Sequence, residues 1–335
     1  MRLLVTGAAG FIGANFVHHW VDRHPGDHVL AIDALTYAGN LANLDPVATR
    51  IAFARTDIGD RPEVEALLRE HRIDVVVNFA AESHNSLAVL DPERFFETNV
   101  LGTVRLLEAC RAVGVARFHH VSTCEVYGDL ALHDPDAFTE ELPYRPRTPY
   151  NASKAGADHA VRAYAETFGL PVTITNCANN YGPYQFPEKV IPLFVTRALD
   201  GRPLPVYASR DNRREWLHVD DHCTAIERVL LDGQVGRTYH VGSGVEVSVG
   251  EMATRILDLL GLPQSLVDTV PDRPGHDRRY LLDSSRLRTE LGWAPAVPFD
   301  EGLAATVAWY AEHRDWWQPL LARARVDERA WTPTH

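Results

Sequence analysis

The chain has 335 residues, 45% of them hydrophobic and 23% charged, which is enough apolar material for one large or two modest folded units and excludes a disordered chain. Its formal net charge of −12 excludes a broad nucleic-acid-binding surface, although a local cluster of cations could still hold a small phosphate. Cys110, Cys124, Cys177 and Cys223 form no CxxC pair and are too few for a disulfide framework; no apolar run reaches about 18 residues and no leader-like stretch follows Met1, so a cytoplasmic protein outside the membrane is expected.

Leu3-Leu4-Val5-Thr6 is a short apolar run ending at Gly7, and a helical pattern begins near Phe11-Ile12, predicting strand, turn and helix. The next buried strand is Val29 to Asp33. Strand and helix then alternate: Ile51 to Phe53 before 62–72, Val75 to Phe79 before 92–112, Arg117 to Val121 before 150–168, and Val172 to Thr175. This repetition predicts an α/β fold, a Rossmann-type doubly wound parallel sheet with helices on both faces. After Asn179 the texture changes, with prolines at 183, 187, 192, 203 and 205 and a helix expected over 249–260. The division expected is a cofactor-binding unit over 1–178 and a smaller substrate lobe over 179–335 with some of its segments returning to the sheet. Arg213 to Trp216 reads as a loop that packs Trp216 and presents one arginine inward.

Gly7, Gly10 and Gly13 give GxxGxxG between strand and helix. Glycines let the backbone approach a pyrophosphate, and the helix N-terminus at Phe11 and Ile12 supplies amide hydrogens and positive potential. Asp33 ends the second strand about 20 residues later, the spacing at which a carboxylate accepts the ribose hydroxyls of NAD and repels the extra phosphate of NADP. Tyr150 and Lys154 stand four apart on one helical face, so the ammonium is expected to lower the phenol's pKa and make Tyr150 a base for an alcohol proton. No set of His, Cys and Asp shows metal-ligand spacing.

GxxGxxG together with Tyr150xxxLys154 resembles the extended short-chain dehydrogenase/reductase superfamily. Four further segments, Asp33 to Leu41, Ala80 to His84, Asn179 to Lys189 and Arg273 to Tyr280, are similar to the nucleotide-sugar 4,6-dehydratases, closest to those acting on dTDP-glucose, over residues 1 to about 295. The resemblance implies a tightly held NAD that is reduced and reoxidised in each turnover, with Asp57, Ile58 and Ala80 added to its site. It also implies a homodimer joined through helices around 92–112 and 150–168.

For the substrate, the resemblance implies a nucleotide sugar bound by Ser83, His84, Asn180, Lys189, Arg214 and Arg273, with Pro205 and Tyr207 bordering the base and His276 as a phosphate or ribose contact. Thr123 and Tyr150 would handle the C4 hydroxyl, and Glu125 would take the C5 proton acidified by oxidation at C4. The chain departs from the family twice. Cys124 stands where the family has an aspartate implicated in expelling the C6 hydroxyl, and Asn85-Ser86-Leu87-Ala88 replaces a Val-Asp-Arg-Ser stretch. Cys124 is either a weak proton donor or a filler; if a filler, Glu125 alone serves the elimination. Hydride return to C6 would complete a 4,6-dehydratase, and return to C4 would release a 5,6-ene. A 4-epimerase, a uronic acid decarboxylase and a cofactor-binding protein without catalysis are the competing readings.

Overall fold

The computed structural model describes residues 1–324. Among these, the strands in chain order are β1 (Arg2–Thr6), β2 (His28–Asp33), β3 (Ala52–Arg55), β4 (Val75–Asn78), β5 (Arg117–Thr123), β6 (Val172–Cys177), β7 (Asn179–Tyr181), β8 (Leu204–Tyr207), β9 (Arg213–His218), β10 (Thr238–Val241), β11 (Glu246–Ser248) and β12 (Val267–Val270). Seven form one parallel sheet in the order β10-β6-β5-β4-β1-β2-β3, the doubly wound arrangement that the strand and helix alternation predicts.

Side chains alternate across each strand, so the sheet feeds two cores. Leu3 and Val5 of β1 pack with Phe16, Trp20 and Ile226 on one face. Leu4 packs with Leu30, Val76, Leu107 and Val161 on the other. A parallel sheet covered on both faces is apolar throughout its length, which is why Val75-Val76-Val77 reads as a continuous run.

The turn after β1 requires glycine. Gly7 has φ +62°, and a Cβ there would lie 2.8 Å from the Ala80 amide nitrogen. At Gly13 a Cβ would come within 2.2 Å of the Gly7 carbonyl oxygen, so only glycine lets helix Phe11–Arg23 start this close to the turn. The helix over Pro149–Phe168 is delimited as strongly: Thr148 Oγ1 accepts from the Asn151 amide at 3.2 Å, Pro149 occupies the first turn, and Gly169 ends it at φ +68°.

Two local expectations are corrected. The helix expected over 92–112 is three pieces, Pro92–Phe96, a π-helical turn Glu97–Gly102 and Thr103–Val113. The wider turn lets Asn99 span two segments, accepting from the Glu82 amide at 2.8 Å and donating to Ser153 Oγ at 2.9 Å. The run Arg213 to Trp216 is not a loop but the centre of a small sheet: β9 pairs in parallel with β7 and antiparallel with β11, which satisfies its backbone on both sides. Arg214 does point inward and Trp216 is buried, joining Phe194, Met252 and Tyr310 in a third core. β12 pairs with β8 beside it. The segment expected as a lobe over 179–335 runs past the described residues, and within it β10 lies in the main sheet while helix Val219–Asp232 packs against helix Phe11–Arg23 through Ile226 and Leu230.

Glu215 ties the small sheet to the segment that follows it. Its two carboxyl oxygens accept from the Gly244 amide at 2.7 Å and the Leu282 amide at 2.9 Å, and a Cβ at Gly242 would sit 2.3 Å from the carboxyl. Burial pushes its pKa up from 4.5 to about 7. A raised carboxyl favours the folded chain fully below its ordinary value, and that contribution fades as pH climbs through the folded value.

Two predictions follow from these contacts. Gly13→Ala should lower the urea midpoint by the equivalent of about 1–3 kcal/mol through overpacking, whereas Gly26→Ala, where a Cβ meets nothing within 4 Å, should leave it unchanged. Glu215→Gln should remove a titration worth on the order of 3 kcal/mol, so the wild-type chain's advantage in melting temperature over this variant should shrink between pH 4.5 and about 7; a constant gap would contradict the assignment.

Candidate functional site

Two cavities open at the carboxyl ends of the strands, where β1 and β4 mark the reversal of strand order. The first, about 320 Å³, is lined by the glycine turn (Gly7, Gly10, Phe11, Ile12, Gly13), by Asp33, by Asp57 and Ile58, by Ala80 and by Tyr150 and Lys154. The second, about 190 Å³, is lined by Ser83, His84, Asn180, Lys189, Pro205, Tyr207, Arg214, Arg273 and His276. Glu125 lines both, in a shared wall with Ser83, Asn180, Glu188 and Lys189.

In the first cavity, Asp33 is fixed by its backbone neighbours. One carboxyl oxygen accepts from the Ala9 amide at 3.0 Å and the other from the Leu35 amide at 2.7 Å. Asp57 Oδ1 accepts from the Gly59 amide at 2.7 Å. A dinucleotide fits this donor set: a close-approach glycine turn at a helix N-terminus faces the position for a pyrophosphate, and a carboxylate ends the adjacent strand.

Thr123 is the last residue of β5, and its Oγ1 accepts from the Glu125 amide at 3.2 Å, which starts the short turn Cys124–Tyr127. Gly128 closes that turn at φ +97°, with a would-be Cβ 2.5 Å from the Arg145 carbonyl oxygen. Glu125 is thereby held with one oxygen accepting from Asn85 Nδ2 at 2.9 Å and lying 3.4 Å from the Tyr280 hydroxyl oxygen. Asn85 is itself oriented by Thr148, whose hydroxyl donates to Asn85 Oδ1 at 3.1 Å, and Tyr280 gives its one hydroxyl proton to the closer carboxylate, Asp277. Burial, with Glu125 adding to it, raises the Asp277 carboxyl to about 6.

The two positions at which a departure from the dehydratase pattern is expected separate here. Asn85 reaches Glu125 directly. Cys124 lines neither cavity; it is 1% exposed and packs among Val126, Tyr127, Phe138, Ala155 and Cys177. Burial and the neighbouring Glu125 hold its thiol well above the ordinary value.

The expected lowering of the Tyr150 phenol by Lys154 is corrected. Burial pushes Tyr150 well above its ordinary value, Glu125 and Cys177 add to the shift, and only the Thr123 hydrogen bond works against it. Lys154 Nζ instead donates to the Val121 carbonyl at 2.8 Å. Desolvation of a phenol walled by a carboxylate outweighs an ammonium turned toward the strand backbone.

Several assigned polar groups are also engaged within the protein. Asn180 Nδ2 donates to the Ala178 carbonyl at 2.9 Å and its Oδ1 meets His222 Nδ1 at 2.9 Å, which fixes the amide on the wall of both cavities with a second N–H still to offer. Arg214 donates to the carbonyls of Arg213 and Asp277 and lies 4.6 Å over the Tyr280 ring, which bends this fork toward positioning Tyr280. His84 caps the helix Asn85–Leu90 through Nδ1, and burial with nearby Lys189 and Arg273 lowers its pKa to about 3, leaving it neutral. His276 contacts Asp272 at 3.1 Å and meets the Tyr207 ring edge-on; burial and Arg273 lower it to about 4. Lys189 Nζ donates to the Ser83 carbonyl at 2.6 Å.

Arg273 Nε, Gln185 Oε1 and Asn179 Oδ1 are buried with no hydrogen-bond partner among the described residues. Buried polar atoms are normally paired, so a donor and two acceptors left over around these cavities fit a polar ligand. Gln185, Asn179, Tyr280 and Glu188 were missed by sequence reasoning although their segments were legible, and Asn85 stood out only as part of a departing stretch; their contacts join positions far apart in the chain.

Comparison with known proteins agrees with this geometry. Residues 4–306 match the family model for GDP-mannose 4,6 dehydratase. A dTDP-glucose 4,6-dehydratase of Xanthomonas campestris pv. campestris is 51% identical over 339 residues, covering 95% of each chain. Another, from Mycobacterium tuberculosis, is 49% identical over 332 residues, covering 98% of this chain and 99% of the relative. The crystal structure of DesIV, a dTDP-glucose 4,6-dehydratase from Streptomyces venezuelae with NAD and dTDP bound, superposes with a TM-score of 0.92 at 50% identity, covering 96% of this chain and all of that one. With its glycine turn, its Tyr150 and Lys154 pair and its Glu125 wall between two cavities, the chain belongs to the dTDP-glucose 4,6-dehydratase family.

Proposed function

We propose that the chain is an NAD-dependent hydro-lyase that removes water from a nucleotide hexose, with a dTDP-linked glucose as the substrate its relatives favour. The observation that carries the reading is the shared wall: Glu125 faces both the cavity suited to a dinucleotide and the cavity rimmed by Lys189 and Arg273. Bound in the first cavity, NAD would accept a hydride from C4 and later give it back. Thr123 and Tyr150 line the first cavity beside Glu125, and Tyr150 is assigned to take the C4 hydroxyl proton once its phenol, which burial holds protonated, has given up its own. A ketone at C4 acidifies C5, and Glu125, steadied by Asn85, takes that proton. Arg273, whose Nε is buried and unpartnered, and Lys189 supply positive charge for the diphosphate. The catalytic set is thus Thr123, Glu125, Tyr150 and Lys154.

A second reading of the elimination is favoured by Cys124. Its thiol packs in an apolar cluster, so Glu125 is the one acid that this turn presents to the cavities. Glu125 then carries the proton from C5 to the departing C6 hydroxyl on one face of the sugar, and the 4-keto-5,6-ene that results is reduced at C6, or at C4 with release of the ene.

We also infer a cytoplasmic homodimer. All four cysteines are buried free thiols, which suits a reducing compartment, and no described helix is long and apolar enough to cross a membrane. Phe96 and Leu101 are 41% and 51% exposed on the helical segments beside Val100, which meets Gly156 of the neighbouring helix, and offer apolar surface to a second copy.

Incubation with dTDP-glucose should yield a 4-keto-6-deoxy product by mass and NMR analysis, and Tyr150→Phe should slow reduction of the bound cofactor by at least about 10²-fold. Release of a 5,6-ene would select the second reading, and a C4-inverted sugar alone would overturn both. In light scattering the wild-type chain should have twice its chain mass of 37.4 kDa, and Phe96→Glu with Leu101→Glu should bring it to one.

A further inference from the structure

Beneath Tyr150, a line of buried polar side chains crosses the sheet from the first cavity to helix Pro149–Phe168. The Ala80 amide donates to Thr6 Oγ1 at 3.2 Å, and the Thr6 hydroxyl donates to Asn78 Oδ1 at 2.6 Å. Asn78 Nδ2 then lies 3.1 Å from His120 Nδ1. Because Asn78 has spent its oxygen on Thr6, its nitrogen faces His120, and Nδ1 must be the acceptor. A neutral His120 therefore carries its proton on Nε2.

That Nε2 lies 3.4 Å from Asp158 Oδ1 and 3.4 Å from Lys154 Nζ. Its proton faces the carboxylate at a distance too long for a strong hydrogen bond, and Asp158 Oδ1 has no hydrogen-bond partner among the described residues. The imidazole is wedged between an ammonium and a carboxylate that are both wholly buried on one helix, one turn apart. Ser122 and Tyr144 donate to the other oxygen, Asp158 Oδ2, at 2.8 and 2.9 Å, and Asn176 Nδ2 at 3.3 Å. Three donors on one carboxylate oxygen are a strong reason for it to be ionised.

We propose that Asp158 is a positioning residue for the oxidising half of the site: it is the buried counter-ion that keeps Lys154 an ammonium, with His120, locked as the Nε2–H tautomer, as the spacer that couples them. The proposal rests on the reading of Tyr150 and Lys154 given above. Among the described residues, Asp158 is the carboxylate that acts on Lys154. The titratable and charged groups facing the pair are His120 from β5, Cys177 from β6, Tyr127 and Tyr144 from the connection after β5, and Tyr150 and Arg162 from the same helix. Burial lowers His120 to about 4, so it brings no charge, and burial raises the Cys177 thiol to about 12, so it brings none either. The titration directions agree with the geometry. Burial lowers Lys154 and Asp158 is the largest influence opposing it; burial works to raise Asp158, but His120, Lys154 and Ser122 together bring it below its ordinary value.

The bland alternative is that Asp158 only ties Ser122, Tyr144 and Asn176 to the helix. The two are separated by Asp158→Asn, Lys154→Met and the double variant, all made in the NAD-loaded protein. A counter-ion role predicts that Asp158→Asn strands a buried ammonium, so it melts lower than the double variant, in which both charges are gone. If Asp158→Asn fails to fold, recovery of folding in the double variant makes the same point. Equal loss of melting temperature in the single and double Asp158 variants would overturn the proposal, and this arm needs no substrate, so it stands apart from any failure of the functional reading. The second arm follows single-turnover reduction of the bound cofactor by nucleotide sugar against pH. Without the carboxylate the ammonium gives up its proton at lower pH, so the alkaline limb in Asp158→Asn should move down by about one unit or more, which is at least a tenfold loss on that limb. An unmoved limb would also overturn it.

Discussion

β2 and β3 are added to one flank of β1, while β4, β5, β6 and β10 are added to the other, and the connections leaving β1 and β4 therefore part in opposite directions. No crossover can cover the carboxyl ends at that point, so a crevice is forced by topology before any side chain is chosen. Everything functional is arranged around it. The glycine turn leaves β1, Asp33 ends β2, the Ala80 segment leaves β4, and Thr123 ends β5. The small sheet β7-β9-β11 then walls the crevice from the other side, and its junction with the segment around Leu282 is held by Glu215.

Charge is handled differently in the two halves of this crevice. In the half suited to a dinucleotide, charged groups are compensated from within: Asp33 by backbone amides, Lys154 by Asp158. Along the wall shared with the half suited to a nucleotide sugar, polar atoms are left over, Gln185 Oε1 and Asn179 Oδ1 among them, and Glu125 accepts from the neutral amide of Asn85. Unpaired polar atoms on a wall common to both halves suit ligands that meet there.

The sheet was legible because parallel strands buried on both faces read as uninterrupted apolar runs, and the first cavity was legible because its residues follow strand ends at characteristic spacing. The π-helical turn at Glu97–Gly102 carried no such signal, since its cause is a tertiary contact between Asn99 and the Glu82 backbone. Arg213 to Trp216 was misread because a strand interrupted by two arginines and a glutamate matches neither an apolar run nor a clean alternation; pairing on both edges and burial of Glu215 against amides decide its conformation. The internal partners of Asn180 were hidden for a related reason. Residue type shows what a side chain can donate, and only the fold shows to whom. The influence of Lys154 on Tyr150 was inferred from helical spacing alone, which gives the face of the helix and says nothing of the backbone carbonyl waiting at Val121.

Cys124 shares with Cys110, Cys177 and Cys223 a common condition: each is buried and each thiol is raised by desolvation. Nucleophilic sulfur chemistry runs through the thiolate, so the folded chain offers alkylating agents and mild oxidants almost nothing to react with. The four thiols lie in different parts of the structure, on the sheet, beside it and in helices on both of its faces. Their modification rates therefore serve as a native clock for local opening, region by region, with no probe introduced.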